Sequence, residues 1–212
     1  MKALLTISRK VDWLTEHIGR SVCWLLLAAV VISTVNAIVR KSFNLSSNAY
    51  LEAQWYLFAA VFMLGAGYVF LHDQHVRIDV LSSKLSRRTQ IWVDVVGIVV
   101  FLLPLCAFVI WTAMPSVLLA MRTGEVSANP GGLIRWPLYL LVPIGFGLLA
   151  LQSASELIKR VAYLTGHGPD PHAKAEKTDE ELLLEQMQQE AAAREAREAK
   201  SQAAALVPGA RS

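Results

Sequence analysis

Charge is scarce in this chain. Asp, Glu, Lys and Arg make up 17% of its 212 residues, against 54% hydrophobic ones. With a mean hydropathy of +0.42, that scarcity excludes an ordinary soluble domain. Cysteine is almost missing as well. Cys23 and Cys106 both fall inside apolar runs, so they build no disulfide framework and read as small apolar side chains. The histidines, His17, His72, His75, His167 and His172, all lie outside those runs. No Walker-type glycine loop, nucleophile elbow or HExxH helix occurs, and we read no enzyme from the sequence.

What the sequence does have is long apolar stretches. A hydrocarbon layer about 30 Å thick takes roughly 20 apolar helical residues to cross. Four stretches meet this, at about 21–39, 49–71, 91–113 and 133–163. The expected fold is an all-α membrane protein with four transmembrane helices in a domain over 21–164. Residues 1–20 form an N-terminal interfacial amphipathic helix, and residues 165–212 form a linker and an acidic C-terminal cytoplasmic tail, helical or partly disordered. The net charge of +3 and pI near 8.9 do not imply a nucleic-acid partner, because the basic residues flank the spans and do not gather on one polar face. Lys2, Arg9, Lys10 and Arg20 precede the first span, Arg77, Lys84, Arg87 and Arg88 separate the second from the third, and Lys159 and Arg160 close the fourth. The other side holds only Arg40, Lys41, Arg122 and Arg135. The positive-inside rule then puts both termini in the cytoplasm.

Within that frame, Leu4, Ile7, Val11, Leu14 and Ile18 recur every three or four residues, with Lys2, Arg9, Lys10, Asp12 and Glu16 on other faces. This stripe fits a helix lying at the headgroup level against membrane lipid, or equally a simple extension of the first span. The first span reads as a retained signal anchor. Small residues around Gly65 and Gly67 in the second span suit close helix packing. In the third span Pro104 removes a backbone donor, so a kink is expected there, and Pro115 is expected to mark an exit into an outer interfacial segment. The outer loop over 122–137 is dense in turn formers around Asn129, Pro130, Gly131 and Gly132. After a breaker-rich linker at 166–172, residues 178–205 read as a solvated helix opened by a capping box at Thr178 and Glu181.

Two chemical readings can be tested against these positions. A haem-binding bundle needs axial ligands facing each other inside the membrane, and no histidine falls there. His72 and His75, three residues apart, share a helical face that suits a metal, but no cysteine or second histidine pair joins them. The remaining candidates are charges at span ends: Glu52, Asp94 and Glu156, with Arg77 and Asp79 near the inner surface. An ionisable group in lipid is costly unless paired or snorkelling, so pairing within the chain or with another subunit is expected of them.

Taken in order, these residues resemble a family, the small (DctQ-type) membrane subunit of tripartite ATP-independent periplasmic (TRAP) transporters. The resemblance covers about 11–164. It rests on Glu52 before the second span, the small residues around Gly65, and His75, Arg77 and Asp79 entering the inner loop. It continues through the loop GEVSANPGG at 124–132, then Trp136-Pro137, Pro143, Gly145-Phe146 and Leu151-Gln152. The acidic tail lies outside the pattern.

The resemblance implies a non-catalytic scaffold subunit in the bacterial inner membrane. Its partners would be a large membrane subunit, which takes up organic acids against an ion gradient, and a periplasmic substrate-binding protein. No cofactor is implied, and the coupling ion, sodium in most such systems, belongs to the large subunit. The residues expected to dock partners are Glu52, Trp55, Gly65, Gly67, His75, Arg77, Asp79, Asp94, Arg122, Glu125, Arg135, Trp136, Gln152 and Glu156. Two other functions compete: a haem-binding redox subunit, and a self-sufficient small transporter or channel.

Overall fold

The computed structural model describes residues 2–43, 48–72 and 86–166, together with Met187. His75, Arg77 and Asp79, and the helix expected over 178–205 apart from Met187, lie outside the described residues.

Within them the chain is helical. Helix α1 (Lys2–Phe43) is followed by α2 (Asn48–Leu71). Then α3 (Arg87–Val96) passes through a π-helical turn (Gly97–Leu102) into α4 (Leu103–Thr123), and α5 (Trp136–Leu164) closes the bundle. Four helical stretches are long and apolar enough to cross a membrane. The third is the continuous run from Arg87 to Thr123.

Contact pairs give the direction of each helix. Glu16 bonds His72 at the end of α2 and Val22 lies nearest Gly65, so α1 and α2 run antiparallel, whereas Met63 meets Gly145 and Gly67 meets Leu148, so α2 and α5 run parallel. Helix α5 packs against α1, α2, α3 and α4, and is the axis on which the bundle is assembled. At Gly145 the backbone of α2 comes so close that an added Cβ would stand 2.7 Å from both the Cβ and the carbonyl oxygen of Met63. Only glycine leaves room for that approach.

Helix α1 is unbroken from Lys2, so the N-terminal stripe and the first span are one helix. Its faces are used inside out relative to a soluble amphipathic helix. Leu4, Ile7 and Leu14 are exposed, while Ser8 and Thr15 are buried. A helix surrounded by hydrocarbon gains nothing by hiding its apolar residues from lipid, so the polar positions are the ones that turn inward to find partners.

The third stretch carries two prolines. Before Pro104 the chain widens into the π turn, where the Leu103 N–H reaches the Ile98 carbonyl. That is one residue further back than in an α-helix, a common way to absorb an interruption of the hydrogen-bond ladder. Pro115 lies inside α4, which continues through it to Thr123. Beyond Pro115, Val117 and Ala120 are almost fully buried, so packing holds the helix together past the missing donor. The helix stops at Gly124, whose left-handed backbone (φ 63°) lets its N–H cap the Ala120 carbonyl.

Candidate functional site

Two polar clusters stand at opposite ends of α5, about 30 Å apart by helix rise. The first is built on Glu52, in the second turn of α2, and is only 3% exposed. One carboxylate oxygen accepts from the Ser127 hydroxyl and from Asn129 Nδ2 at 2.8 Å. The other accepts from the Leu133 backbone N–H at 2.7 Å. All three donors belong to the loop between α4 and α5.

That loop folds as a small hairpin. Val126 and Ile134 form an antiparallel bridge, with Arg135 N donating to Glu125 O at 2.9 Å and Ser127 N to Leu133 O at 3.0 Å. Two more contacts clip it to α2, from the Tyr56 hydroxyl to Ile134 O at 3.2 Å and from Asn48 Nδ2 to Pro130 O at 3.4 Å. At its base, Arg135 Nη1 and the Tyr139 hydroxyl both donate to Glu125 Oε1 at 3.3 Å. The Arg135 guanidinium is held above its ordinary range, first by the adjacent Tyr139 and then by Glu125.

The second cluster joins α1, α3 and α5. On α1, Ser8, Asp12 and Thr15 lie one helical turn apart and face α5. Thr15 Oγ1 donates to Gln152 Oε1 at 2.8 Å, and Gln152 Nε2 donates to Asp12 Oδ1 at 2.9 Å. Ser155 Oγ lies 2.9 Å from Asp12 Oδ1 and 2.7 Å from Ser8 Oγ. Lys159 Nζ reaches Asp12 Oδ2 at 3.0 Å and also pairs with Glu156. Arg160, 5% exposed, donates from Nη1 to Glu156 Oε2 at 2.6 Å and from Nε to Asp94 Oδ2 on α3 at 3.2 Å. Three carboxylates thus face two cations, and each carboxylate touches at least one of them. Charges withdrawn from water need this kind of mutual compensation.

The residues expected to dock partners divide accordingly. Glu52, Glu125 and Arg135 come together at the loop, beside Trp136 at the start of α5, and Asp94, Gln152 and Glu156 come together at the other end. Gly67 is buried between Thr15 and Leu148, and a Cβ added at Gly65 would stand 4.0 Å from the Val22 side chain. Both therefore lie along contacts inside the chain. Trp55 and Arg122 are exposed. Sequence reasoning missed Ser127, Asn129 and the Leu133 N–H as the partners of Glu52, and Ser8, Asp12, Thr15 and Ser155 as partners of Gln152. It took Lys159 and Arg160 as topology markers only, although Arg160 follows Glu156 by four residues, the spacing of a helical ion pair. Among the described residues no group of three or more His, Cys, Asp or Glu side chains is arranged to hold a metal.

A family model described as tripartite ATP-independent periplasmic transporters, DctQ component, matches residues 27–162. The match spans well over half of the chain, and the chain belongs to that family: it is a multi-pass membrane protein and the small component of a TRAP-type transporter. Neither a curated relative nor a solved structure matches it. The matched region contains Glu52, the hairpin and the α5 half of the second cluster. Ser8, Asp12 and Thr15 precede it.

Proposed function

We propose that this chain is a non-catalytic scaffold in the bacterial inner membrane, with both termini cytoplasmic, that braces a large permease subunit. In this reading the permease carries the substrate and ion sites. It takes up organic acids delivered by a periplasmic binding protein, driven by an ion gradient, with sodium the expected ion. The hairpin clipped by Glu52 faces the periplasm, and the cluster around Arg160 lies at the cytoplasmic side.

The observation that carries the proposal is the way polar side chains are used. Both clusters are closed within the chain and tie α1, α2, α3 and the hairpin to α5, which makes a braced frame. The outer faces present large apolar side chains instead, including Trp24, Phe62, Phe101 and Trp111, each at least 71% exposed. Such faces suit lipid or the apolar flank of a partner subunit. Transport by alternating access is generally built around a polar site near the midplane between mobile repeats, and the clusters here sit at the two ends.

Copurification tests this. The chain should hold a large permease through detergent extraction and size exclusion, and liposomes containing the chain alone should show no solute flux. A chain that stays alone and transports by itself would contradict the scaffold role. Charge reversal at the exposed Arg122, beside the hairpin, should lower uptake while the complex still assembles, which would assign the loop to reception of the binding protein. Unchanged uptake would remove that assignment.

A further inference from the structure

At the Arg160 end of the bundle, two neighbouring concavities follow one another along α3. The first, about 680 Å³, lies between the start of α3 and the end of α5. It is lined by Ser86, Arg87, Arg88, Tyr163 and Thr165, among others. The second, about 350 Å³, is an apolar groove formed by Trp92, Val93, Val96, Gly97 and Phe101. Arg88, Trp92 and Val96 are four residues apart and all exposed, so one face of α3 leads from the basic pocket into the groove. Nothing stands within 4 Å of where a Cβ on Gly97 would be, so the groove floor is open at its centre.

From this we infer a binding site for one anionic phospholipid, with the headgroup phosphate between Arg87 and Arg88 and an acyl chain along Trp92 to Phe101. Charge and polarity change along the helix in the same order as they do along a lipid. Two guanidiniums suit the phosphate, and the Tyr163 hydroxyl suits glycerol and ester oxygens. The first turn of α3 adds the positive end of a helix dipole. Trp92 lines the end of the groove nearer Arg88, and an indole ring suits the boundary between headgroup and acyl chain. Basic pockets between membrane helices are recognised binding places for acidic headgroups. The inference does not depend on the transport reading, because every group it uses belongs to this chain.

The test uses the full chain alone, in nanodiscs of phosphatidylcholine with a minor share of phosphatidylglycerol, with retained lipid counted by native mass spectrometry. The unaltered chain should retain phosphatidylglycerol in preference to phosphatidylcholine. Arg88→Gln should lower that retention about fivefold, the effect of one basic residue at a membrane surface, and adding Arg87→Gln should lower it further. Arg88→Lys should keep most of it. Gly97→Leu, whose Cβ meets nothing within 4 Å, should fill the groove and lower retention while the arginines remain, and excess inorganic phosphate should not displace the lipid. Equal retention of both lipids by the unaltered chain would overturn the proposal. So would displacement by inorganic phosphate together with an inert Gly97→Leu, since the pocket would then be a site for free anions.

Discussion

The clusters at the two ends of α5 solve the same problem with different chemistry. At the hairpin end a single buried carboxylate, Glu52, is satisfied by two side chains and one backbone N–H. At the other end five charged side chains compensate one another across three helices. Neutral donors with little freedom position a loop, because they fix where the backbone goes and ask nothing of distant helices. Paired charges position helices, because removing one leaves its partner on another element less compensated, most of all at the nearly buried Arg160 and Glu156. The hairpin end is thus a local clip, and the Arg160 end is what keeps α1 and α3 on α5.

Arg160→Met should have the largest effect. It leaves Asp94 without its Arg160 partner and Glu156 with Lys159 alone, and breaking a buried pair from one side costs about 3–5 kcal/mol. Thermal unfolding in detergent should show a large loss, and α3 should become labile to limited proteolysis. A melting temperature within a degree or two of the parent would remove the distinction between the two ends.

Glu52→Ala comes next and should act locally. The Ser127 and Asn129 side chains and the Leu133 N–H all lose their acceptor, so the hairpin should be cleaved by added protease on the order of ten times faster, with the bundle's melting much less affected. Equal global destabilisation by Glu52→Ala and Arg160→Met would mean that the hairpin is as integral to the bundle as the charge cluster.

Asp12→Asn is the mildest. It keeps an oxygen for the Gln152 and Ser155 donors and loses only the attraction of Lys159, in a pair about one quarter exposed. Partly solvated pairs contribute up to about 1 kcal/mol. A loss much greater than that would show that the cluster depends on the charge of Asp12 and not on its hydrogen bonds.

How much of this was legible in the sequence depends on the distance over which each feature is encoded. Span lengths follow from local apolarity, so four membrane helices could be read directly. Glu52 stood out as a lone acid at a span end, and the 124–132 stretch as a turn. Their pairing did not, because nothing local connects residue 52 to residues 127–133. The Arg160 cluster was hidden more deeply. Gln152 and Glu156 were visible as neighbours on one helix face, but Asp12, the partner of Gln152, lies 140 residues before it. Asp12 also sits in a stripe that resembles the polar face of a surface helix. The misreading has a physical source, since periodicity reveals two unlike faces and only the surrounding solvent decides which of them turns inward. That α4 stays helical through Pro115 was out of reach for a related reason: the missing hydrogen bond is local, whereas the packing of Val117 and Ala120 is not.

In the proposed role the chain is a stationary frame, with α1 fixed to α5 while its partner moves. Ser8 and Ser155, both buried, place their hydroxyls 2.7 Å apart across that contact. Replacing both by cysteine, in a background with Cys23→Ser, allows a disulfide to lock α1 to α5 in the assembled transporter. Uptake into liposomes is then compared before and after oxidation. A stationary frame predicts the same uptake rate in the locked and reduced complexes. Uptake that stops on oxidation and returns on reduction would show that α1 and α5 must move apart, and would contradict the account.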